Sequence, residues 1–359
     1  MVDPAFVDEL TGLGRSLGLD AVGIAPARVQ ERARHALEER KAAGLHDGMQ
    51  FTYKNPTRST DPNRAVVGAR SVIVGARSYL LAEPERPPGP VARVARYAWT
   101  DHYVPLRQAL WGMARRLRAE GWKAVAYADD NTVVDRETAY RAGIGWFGKN
   151  ANLLLPGRGS WYVLGCVITD APLPATAGPV EDGCGTCRRC LDGCPTGAIV
   201  APGVIDARRC LAWLVQKPGV FPVAFRRVLG DRIYGCDDCQ DVCPINRRSA
   251  MAGMPDDAVA WVPVLALLES SDEEILARHG RWYLHERDPR WVRRNALVVL
   301  GNVGQGGDAA VETTLRRYLR HPDPILRAHA VWAARSLGRD DLVPTCDPDP
   351  IVTAELAPI

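Results

Sequence analysis

Apolar residues in the first half of the chain follow two different spacings. In three segments they recur three or four positions apart, which is typical of amphipathic helices: residues 6–17, 29–43 and 106–120. Four shorter runs are apolar or β-branched and are bounded by Gly, Pro or Asp, as buried strands are: residues 21–24, 71–76, 124–127 and 161–169. This alternation predicts a sheet domain of the α/β or α+β class over residues 1–175.

From about residue 255 onward the pattern is helical, and it contains an internal similarity. Asp288-Pro289 is followed by Arg293 and Ala296, and a similar Asp323-Pro324 segment begins about 35 residues later. Two HEAT-like helical units are therefore predicted over residues 255–345, and such units stack into curved surfaces that bind extended partners. The alternative is a plain helical cap over the middle of the chain.

Composition limits the possible locations and partners. With 359 residues, 47% of them hydrophobic, the chain can bury the cores of two or three domains. Its longest apolar stretches are far shorter than the roughly 20 residues that cross a bilayer, so we expect no membrane association. The chain opens with polar and acidic residues rather than an apolar leader, which predicts a reducing cytoplasm. We expect a monomer.

Charge indicates a nucleic-acid partner only locally. A net charge of +3 is too small to predict a polyanion partner for the whole chain. Residues 278–327, however, contain ten Arg, no Lys and only five acidic residues. A phosphate backbone is therefore a plausible partner for this segment.

Eight of the ten cysteines are concentrated in the middle block, which we assign to residues 176–250. The first run is C-x2-C-x2-C-x3-C-P, the second is C-x2-C-x3-C-P, and one cysteine lies between them: Cys184, Cys187, Cys190 and Cys194, then Cys210, then Cys236, Cys239 and Cys243. This is the ligand spacing of bacterial ferredoxins with two [4Fe-4S] clusters. Zinc, which paired CxxC motifs also bind, is the main alternative, and disulfides are a weaker one.

In such ferredoxins the cysteine before proline binds the neighbouring cluster, so the two runs exchange ligands. This rule assigns one set of four cysteines to cluster one: Cys184, Cys187, Cys190 and Cys243. Cluster two receives the remaining three cysteines of the runs and is one thiolate short: Cys194, Cys236 and Cys239. Cys210 is the unassigned cysteine between the runs, and we expect it to complete cluster two.

A glycine-rich segment upstream has the letters of a dinucleotide-binding fingerprint. Gly143, Gly145 and Gly148 match G-x-G-x-x-G, but no strand is predicted directly before them and no helix after them. The segment is better interpreted as a helix end capped by Gly143, followed by a loop that a flat cofactor can approach closely.

Together, these motifs make the chain similar to the epoxyqueuosine reductase family. Four segments carry the resemblance besides the first cysteine run: residues 135–137 (Asp-Arg-Glu), 141–150 (Arg-Ala-Gly-Ile-Gly-Trp-Phe-Gly-Lys-Asn), 159–161 (Gly-Ser-Trp) and 232–244 (Arg-Ile-Tyr-Gly-Cys-Asp-Asp-Cys-Gln-Asp-Val-Cys-Pro). The resemblance implies a cobalamin-dependent iron–sulfur enzyme, related to reductive dehalogenases. The implied reaction reduces epoxyqueuosine to queuosine at the wobble position of tRNA, with electrons from a flavodoxin or ferredoxin.

The resemblance also implies site residues. Asp135 matches the proton donor of the family, for which it needs a pKa raised by burial; Val133 and Val134 before it favour such burial. The alternative is that Asp135 only caps the following helix. The implied corrin contacts are Arg58, Tyr97, Asp135, Ser160, Gly235, Asp237 and Asp238. The candidate tRNA contacts are Arg226, Arg227, Arg293 and Arg294.

The resemblance thus implies an α+β protein with three parts: an α/β cobalamin-binding sheet domain, a ferredoxin-like domain and a HEAT-like helical domain that docks tRNA. Two other functions stay open. One is a cobalamin-dependent reductase of a small molecule, and the other is a non-catalytic ferredoxin-type electron carrier.

Overall fold

A computed structural model describes residues 2–176, 178–248 and 251–357 of the chain. Its strands are β1 (Ala21–Pro26), β2 (Ser71–Ser78), β3 (Val91–Val94), β4 (Ala124–Ala128), β5 (Trp146–Phe147), β6 (Leu153–Leu154), β7 (Tyr162–Thr169), β8 (Ile199–Ala201), β9 (Val204–Ile205), β10 (Arg232–Tyr234) and β11 (Trp261–Pro263).

The helices alternate with these strands in the first part of the chain and follow one another in the last part. They are α1 (Pro4–Ser16), α2 (Glu31–Ala42), α3 (Pro56–Ser59), α4 (Pro62–Ala65), α5 (Tyr103–Ala119), α6 (Asp135–Arg141), α7 (Arg189–Asp192), α8 (Leu211–Leu214), α9 (Val223–Leu229), α10 (Asp238–Asp241), α11 (Val264–Glu269), α12 (Asp272–His279), α13 (Arg290–Val303), α14 (Ala309–Tyr318), α15 (Pro324–Ser336) and α16 (Pro350–Leu356).

The chain divides into two compact units, each built from separate stretches of sequence. The first unit comprises residues 1–82, 101–208 and 238–253, and the second comprises residues 83–100, 209–237 and 254–359. The predicted division into three successive domains stays an interpretation of the sequence. No helix among the described residues is both long enough and apolar enough to cross a bilayer.

The first unit is built on a four-stranded sheet in the order β1-β2-β7-β4, in which every neighbouring pair is antiparallel. In the centre of this sheet, Ile73 of β2 lies between Ile24 of β1 and Val167 of β7. At one edge, Cys166 of β7 pairs with Tyr127 of β4. The antiparallel order is typical of α+β rather than α/β proteins.

Helices cover both faces of this sheet. Val74 and Cys166 pack in one apolar cluster with Ala139 of α6 and with Ala142, the residue after this helix. The adjacent positions Gly75 and Gly165 face the opposite side because successive strand residues alternate between faces. A methyl group on Gly165 would lie 2.7 Å from Leu110 of α5, so glycine at this position lets α5 approach the sheet closely. β2 and β7 are consequently buried on both sides.

The predicted elements of the first unit are confirmed in type and approximate position. The three predicted helices correspond to α1, α2 and α5, and the four predicted strands to β1, β2, β4 and β7. The helix end predicted at Gly143 is also confirmed, while the approach of a flat cofactor to the following loop stays a prediction. Gly143 follows α6 with φ 71°, and Ile144 N–H donates to the carbonyl of Ala139 across the helix end.

The second unit combines a three-stranded sheet, in the order β10-β3-β11, with the C-terminal helices. α13 packs against α15 and α11, and α15 also packs against α14 and α16. Each Asp-Pro pair lies at the start of a helix, and Asp323 caps α15 by accepting a hydrogen bond from Ile325 N–H at 2.8 Å. The predicted combination of helices and strands is therefore confirmed, while the HEAT-like repeat assignment stays a prediction.

Candidate redox site

Four cysteines of the first unit line a single cavity: Cys184, Cys187, Cys190 and Cys243, the set predicted for cluster one. Burial raises the pKa of the Cys190 thiol, and the neighbouring Cys184 thiol raises it further. The fold thus brings the last cysteine of the second run to the first three cysteines of the first run. Four thiolates around one cavity can ligate a [4Fe-4S] cluster.

Local hydrogen bonds shape the loop that carries the first three cysteines. Cys184 N–H donates to Oδ1 of Asp182 at 2.8 Å, and Cys187 N–H donates to the carbonyl of Cys184 at 3.0 Å. Lys149 belongs to a different segment, but its side chain reaches this loop. Its Nζ donates to the carbonyls of Gly185 at 2.6 Å and Cys187 at 2.9 Å. Lys149 therefore satisfies two carbonyls that a tight turn would otherwise leave without a partner.

The side chain of Trp146 lies against the start of the same loop. A methyl group on Gly183 would be 2.6 Å from the Trp146 ring. Burial raises the pKa of the Cys184 thiol, whereas the backbone N–H of Lys149 and the indole N–H of Trp146 both lower it. Two N–H groups thus face the first cysteine of the run.

The cysteines predicted for cluster two belong to both units. Cys194 and Cys239 are in the first unit, and Cys210 and Cys236 are in the second. The Sγ of Cys194 accepts a hydrogen bond from Ala198 N–H at 3.2 Å. The assignment of these four residues to one cluster stays a prediction.

Asp135 is the first residue of α6, and the helix does not use it as a cap. The N-cap position is Val134, and no side chain caps this helix. Oδ1 of Asp135 is closed off from solvent and has no hydrogen-bond partner among the described residues. Burial raises the pKa of Asp135 well above its ordinary value, and Asp129 raises it further. The capping alternative is therefore wrong, and the role of Asp135 as proton donor stays a prediction.

A second carboxyl group near Asp135 was missed in the sequence. Asp129 follows β4 and begins the loop that leads to α6, and its φ of 54° is unusual for a residue other than glycine. Burial raises its pKa, Arg107 opposes that rise, and Asp130 adds to it. Strained backbone is common at functional sites, but φ could not be read from the sequence.

The loop between β4 and α6 is held by two hydrogen bonds. The buried hydroxyl of Ser59 donates to the carbonyl of Asn131 at 2.7 Å, and Thr132 N–H donates to Oδ1 of Asp130 at 2.7 Å. Ser59 follows Arg58, one of the implied corrin contacts, and Arg58 itself is exposed on α3. The first unit therefore connects α3 directly to the loop that precedes Asp135.

Ser160 and Asp238 are the other implied corrin contacts in the first unit. Ser160 is buried, and its N–H donates to Oδ1 of Asn246 at 2.7 Å. The amide of Asn246 donates in turn to the carbonyl of Gln240 at 2.8 Å. Asp238 is the first residue of α10. These bonds fix the second cysteine run to the strand that follows Ser160.

Three implied contacts lie close together in the second unit. A methyl group on Gly235, whose φ is 72°, would be 2.5 Å from Ala95 and 2.9 Å from the Tyr97 ring. Asp237 accepts a hydrogen bond from Arg96 N–H at 2.7 Å. Only glycine fits this close approach of the two backbone segments, which explains why residue 235 is a glycine.

Two of the four arginines predicted to bind tRNA are structural, which corrects that prediction. Arg226 is completely buried and pairs with both carboxylate oxygens of Glu355 at 2.6 and 2.9 Å. Arg294 is also completely buried, and it donates to the carbonyls of Lys217 at 2.7 Å and Gly219 at 2.8 Å. Their guanidinium groups are used inside the protein and cannot reach a phosphate.

The other two arginines differ from each other. Arg293 has a side chain only 12% exposed, paired with Asp272 and bonded to the carbonyl of Ser270 at 2.7 Å. Arg227 is exposed, and its contacts with the carbonyls of Gly301 and Ser336 are long, at 3.4 and 3.5 Å. Of the four, Arg227 is thus the most available to a phosphate.

The burial of Arg294 gives a first prediction. Arg294→Met keeps an apolar side chain of similar length but leaves buried carbonyls without donors, so the free energy of unfolding should fall by about 3 kcal/mol. Arg227→Gln is the control, and it should change stability by less than about 0.5 kcal/mol because the residue is exposed. Denaturant unfolding measures both, and equal stability of the two variants would contradict the structural role of Arg294.

The unpartnered carboxyl of Asp135 gives a second prediction, on pH dependence. Between the ordinary pKa of an aspartate and the raised folded-state pKa, the folded protein binds more protons than the unfolded chain. Stability should therefore fall as pH rises through this window. Asp135→Asn removes the ionisation, so the melting temperature of the variant minus that of the wild type should increase with pH. A difference that is constant from pH 4 to pH 8 would contradict the raised pKa.

Comparison with known proteins agrees with this site. The family described as "4Fe-4S double cluster binding domain" matches residues 183–246. The presence of iron–sulfur clusters is thereby supported over zinc.

Full-length relatives extend the similarity to the whole chain. The epoxyqueuosine reductase of Pseudomonas aeruginosa is 34% identical over 357 residues, which cover 94% of this chain and 96% of the relative. A crystal structure of epoxyqueuosine reductase with an epoxyqueuosine-modified tRNA-Tyr stem loop has a TM-score of 0.89 and 28% identity, covering 98% of this chain and 97% of the other. A structure of the Bacillus subtilis enzyme, with an aspartate catalytic loop swung out of the active site, has a TM-score of 0.88 and 28% identity and also covers 98% and 97% of the two chains. The chain belongs to the epoxyqueuosine reductase family.

Proposed function

We propose that this protein reduces epoxyqueuosine to queuosine in tRNA. The observation that carries the proposal is the combination found within the first unit. There, a cavity lined by four cysteines can hold an electron carrier, and a carboxyl group with a raised pKa can hold a proton. A reductive opening of an epoxide needs both electrons and protons, whereas a protein that only carries electrons needs no proton donor.

The chemistry explains why the acid matters. Conversion of an epoxide to an alkene releases the oxygen as water and consumes two electrons and two protons. The oxygen leaves poorly as an alkoxide, so an acid must protonate it as the carbon–oxygen bond breaks. A carboxyl group that stays protonated near neutral pH because of burial can donate that proton.

We propose cobalamin as the cofactor between the clusters and the substrate. Oδ1 of Asp135 fits such a ligand, because it is a buried polar atom that has no hydrogen-bond partner among the described residues. Within the second unit, the candidate corrin contacts Tyr97, Gly235 and Asp237 belong to two backbone segments that approach each other closely. When bound, cobalamin supplies a reduced cobalt centre that passes electrons to the substrate.

The tRNA and the electron donor are the proposed partners. The relative whose structure contains a tRNA stem loop supports an anticodon stem-loop substrate for this chain as well. Exposed Arg227 is the best of the predicted arginines for a phosphate contact. A flavodoxin or ferredoxin is the proposed external donor, and the monomeric state stays a prediction.

The third prediction tests the function directly. The full-length protein is reconstituted anaerobically with iron and sulfide, given cobalamin, a reductant and epoxyqueuosine-bearing tRNA, and the digested nucleosides are analysed by mass spectrometry. We expect queuosine to form only when protein and cobalamin are both present. Bound corrinoid without queuosine would favour the reductase of a small molecule, and clusters without bound corrinoid would favour the electron carrier.

The fourth prediction concerns the proton donor. Asp135→Asn should leave corrinoid binding intact and lower the turnover rate by about 10²–10⁴-fold, because the amide cannot supply the proton. Asp130→Asn is the matched control, since an amide oxygen can still accept the hydrogen bond from Thr132 N–H. Turnover should also fall as pH rises through the raised pKa of the essential carboxyl, because that carboxyl then loses its proton.

Asp129→Asn decides between the two neighbouring carboxyls. The Bacillus subtilis relative has its catalytic aspartate in a loop, and Asp129 lies in a loop whereas Asp135 begins a helix. Loss of turnover in Asp129→Asn, with Asp135→Asn as active as the wild type, would transfer the donor role to Asp129.

A further inference from the structure

We propose that Lys149 and Trp146 raise the reduction potential of cluster one, so that cluster one accepts the first of the two electrons needed per turnover. The inference rests on the assignment of Cys184, Cys187, Cys190 and Cys243 to a [4Fe-4S] cluster. It goes beyond the proposed function, which does not specify the order in which the clusters are reduced.

Lys149 places a compact positive charge beside the cluster cavity. It is half-buried, lines the cavity and is held by the carbonyls of Gly185 and Cys187, two residues of the ligand loop. The chain has only five lysines, against forty arginines. A lysine ammonium is a point charge on a flexible stem, which suits the narrow interior of the turn better than a planar guanidinium.

Trp146 adds a hydrogen-bond donor on the same side. Trp146 is 95% buried, and its indole N–H faces Cys184 without forming a hydrogen bond of normal length among the described residues. Its ring packs against Gly183, directly before Cys184. A thiolate sulfur of Cys184 in a bound cluster is the acceptor that would satisfy this N–H.

Both groups favour the reduced form of the cluster for the same electrostatic reason. One electron from an external one-electron donor adds one negative charge to a site that already carries four thiolates. A nearby cation and N–H donors directed at the sulfurs stabilise that added charge, and the reduction potential rises.

The residues around the second cysteine run have the opposite sign. Asp237 and Asp238 stand between Cys236 and Cys239, and carboxylates near a cluster oppose the gain of an electron. Arg96 offsets part of the Asp237 charge through its N–H and a 3.9 Å ion contact. The first cysteine run, whose loop Lys149 contacts, should therefore ligate the more easily reduced of the two clusters.

The test is a redox titration of the full-length reconstituted protein, followed by electron paramagnetic resonance. The wild type should show two one-electron steps. Lys149→Met should shift the reduction potential of the more easily reduced cluster by about 59 mV to lower potential. This corresponds to an about tenfold lower ratio of reduced to oxidised cluster at a given potential, and the potential of the other cluster should not change. Lys149→Arg should shift it less because the charge is kept, and Trp146→Phe should shift it in the same direction.

The matched control is Arg188→Gln, which removes a cation from the same loop. The Arg188 side chain is 68% exposed and pairs with Asp192 at 3.6 Å, so solvent and its partner screen its charge and neither step should move. If Lys149→Met binds full iron and both steps coincide with those of the wild type, Lys149 is only a structural tie and the proposal fails. If Lys149→Met loses iron, an unshifted Trp146→Phe overturns the proposal.

Failure of this proposal can be distinguished from failure of the proposed function. A wild-type protein that holds both clusters and makes queuosine, with steps unaffected by Lys149→Met and Trp146→Phe, contradicts only the tuning role. A protein whose clusters titrate as proposed but that makes no queuosine contradicts only the tRNA reductase function.

Discussion

The packing of helices on both faces of the four-stranded sheet is the constraint on which the first unit depends. Because β2 and β7 are buried on both sides, their side chains have little freedom, and the close approach of α5 requires glycine at residue 165. The same packing fixes the start of α6, where Asp135 lies. A buried acceptor without a partner costs about 1–3 kcal/mol, and a rigid, well-packed apolar core can offset that cost.

Much of this fold could be predicted from the sequence, because the predicted features depend on local patterns. Helix and strand positions followed from apolar spacing, and the end of α6 followed from the conformational freedom of Gly143. The grouping of four cysteines around one cavity followed from a general rule about ferredoxin ligands. The antiparallel strand order could not be predicted in this way, since apolar runs indicate burial but not the direction of the neighbouring strand.

The features that sequence reasoning missed depend on long-range contacts or on a single backbone angle. Arg226 and Arg294 have the residue type that binds phosphate, but partners far away in the chain, such as Glu355, hold them inside. Asp135 was a plausible helix cap, and its true position differs from the cap by one residue, which is within the usual uncertainty of helix ends. The left-handed backbone conformation of Asp129 could not be predicted from the residue type.

The burial of Oδ1 of Asp135 has a chemical consequence for a reductase of this kind. Strongly reducing clusters and cofactors can waste electrons on free protons, and an enclosed site prevents such side reactions by limiting access. Burial raises the pKa of the Asp135 carboxyl and so favours its protonated form, which suits the proposed role of proton donor. In the proposed role of Asp135 as proton donor, the burial that destabilises its ionised form would also restrict the proton to the reaction, so the cost in stability and the benefit in selectivity would have the same physical cause.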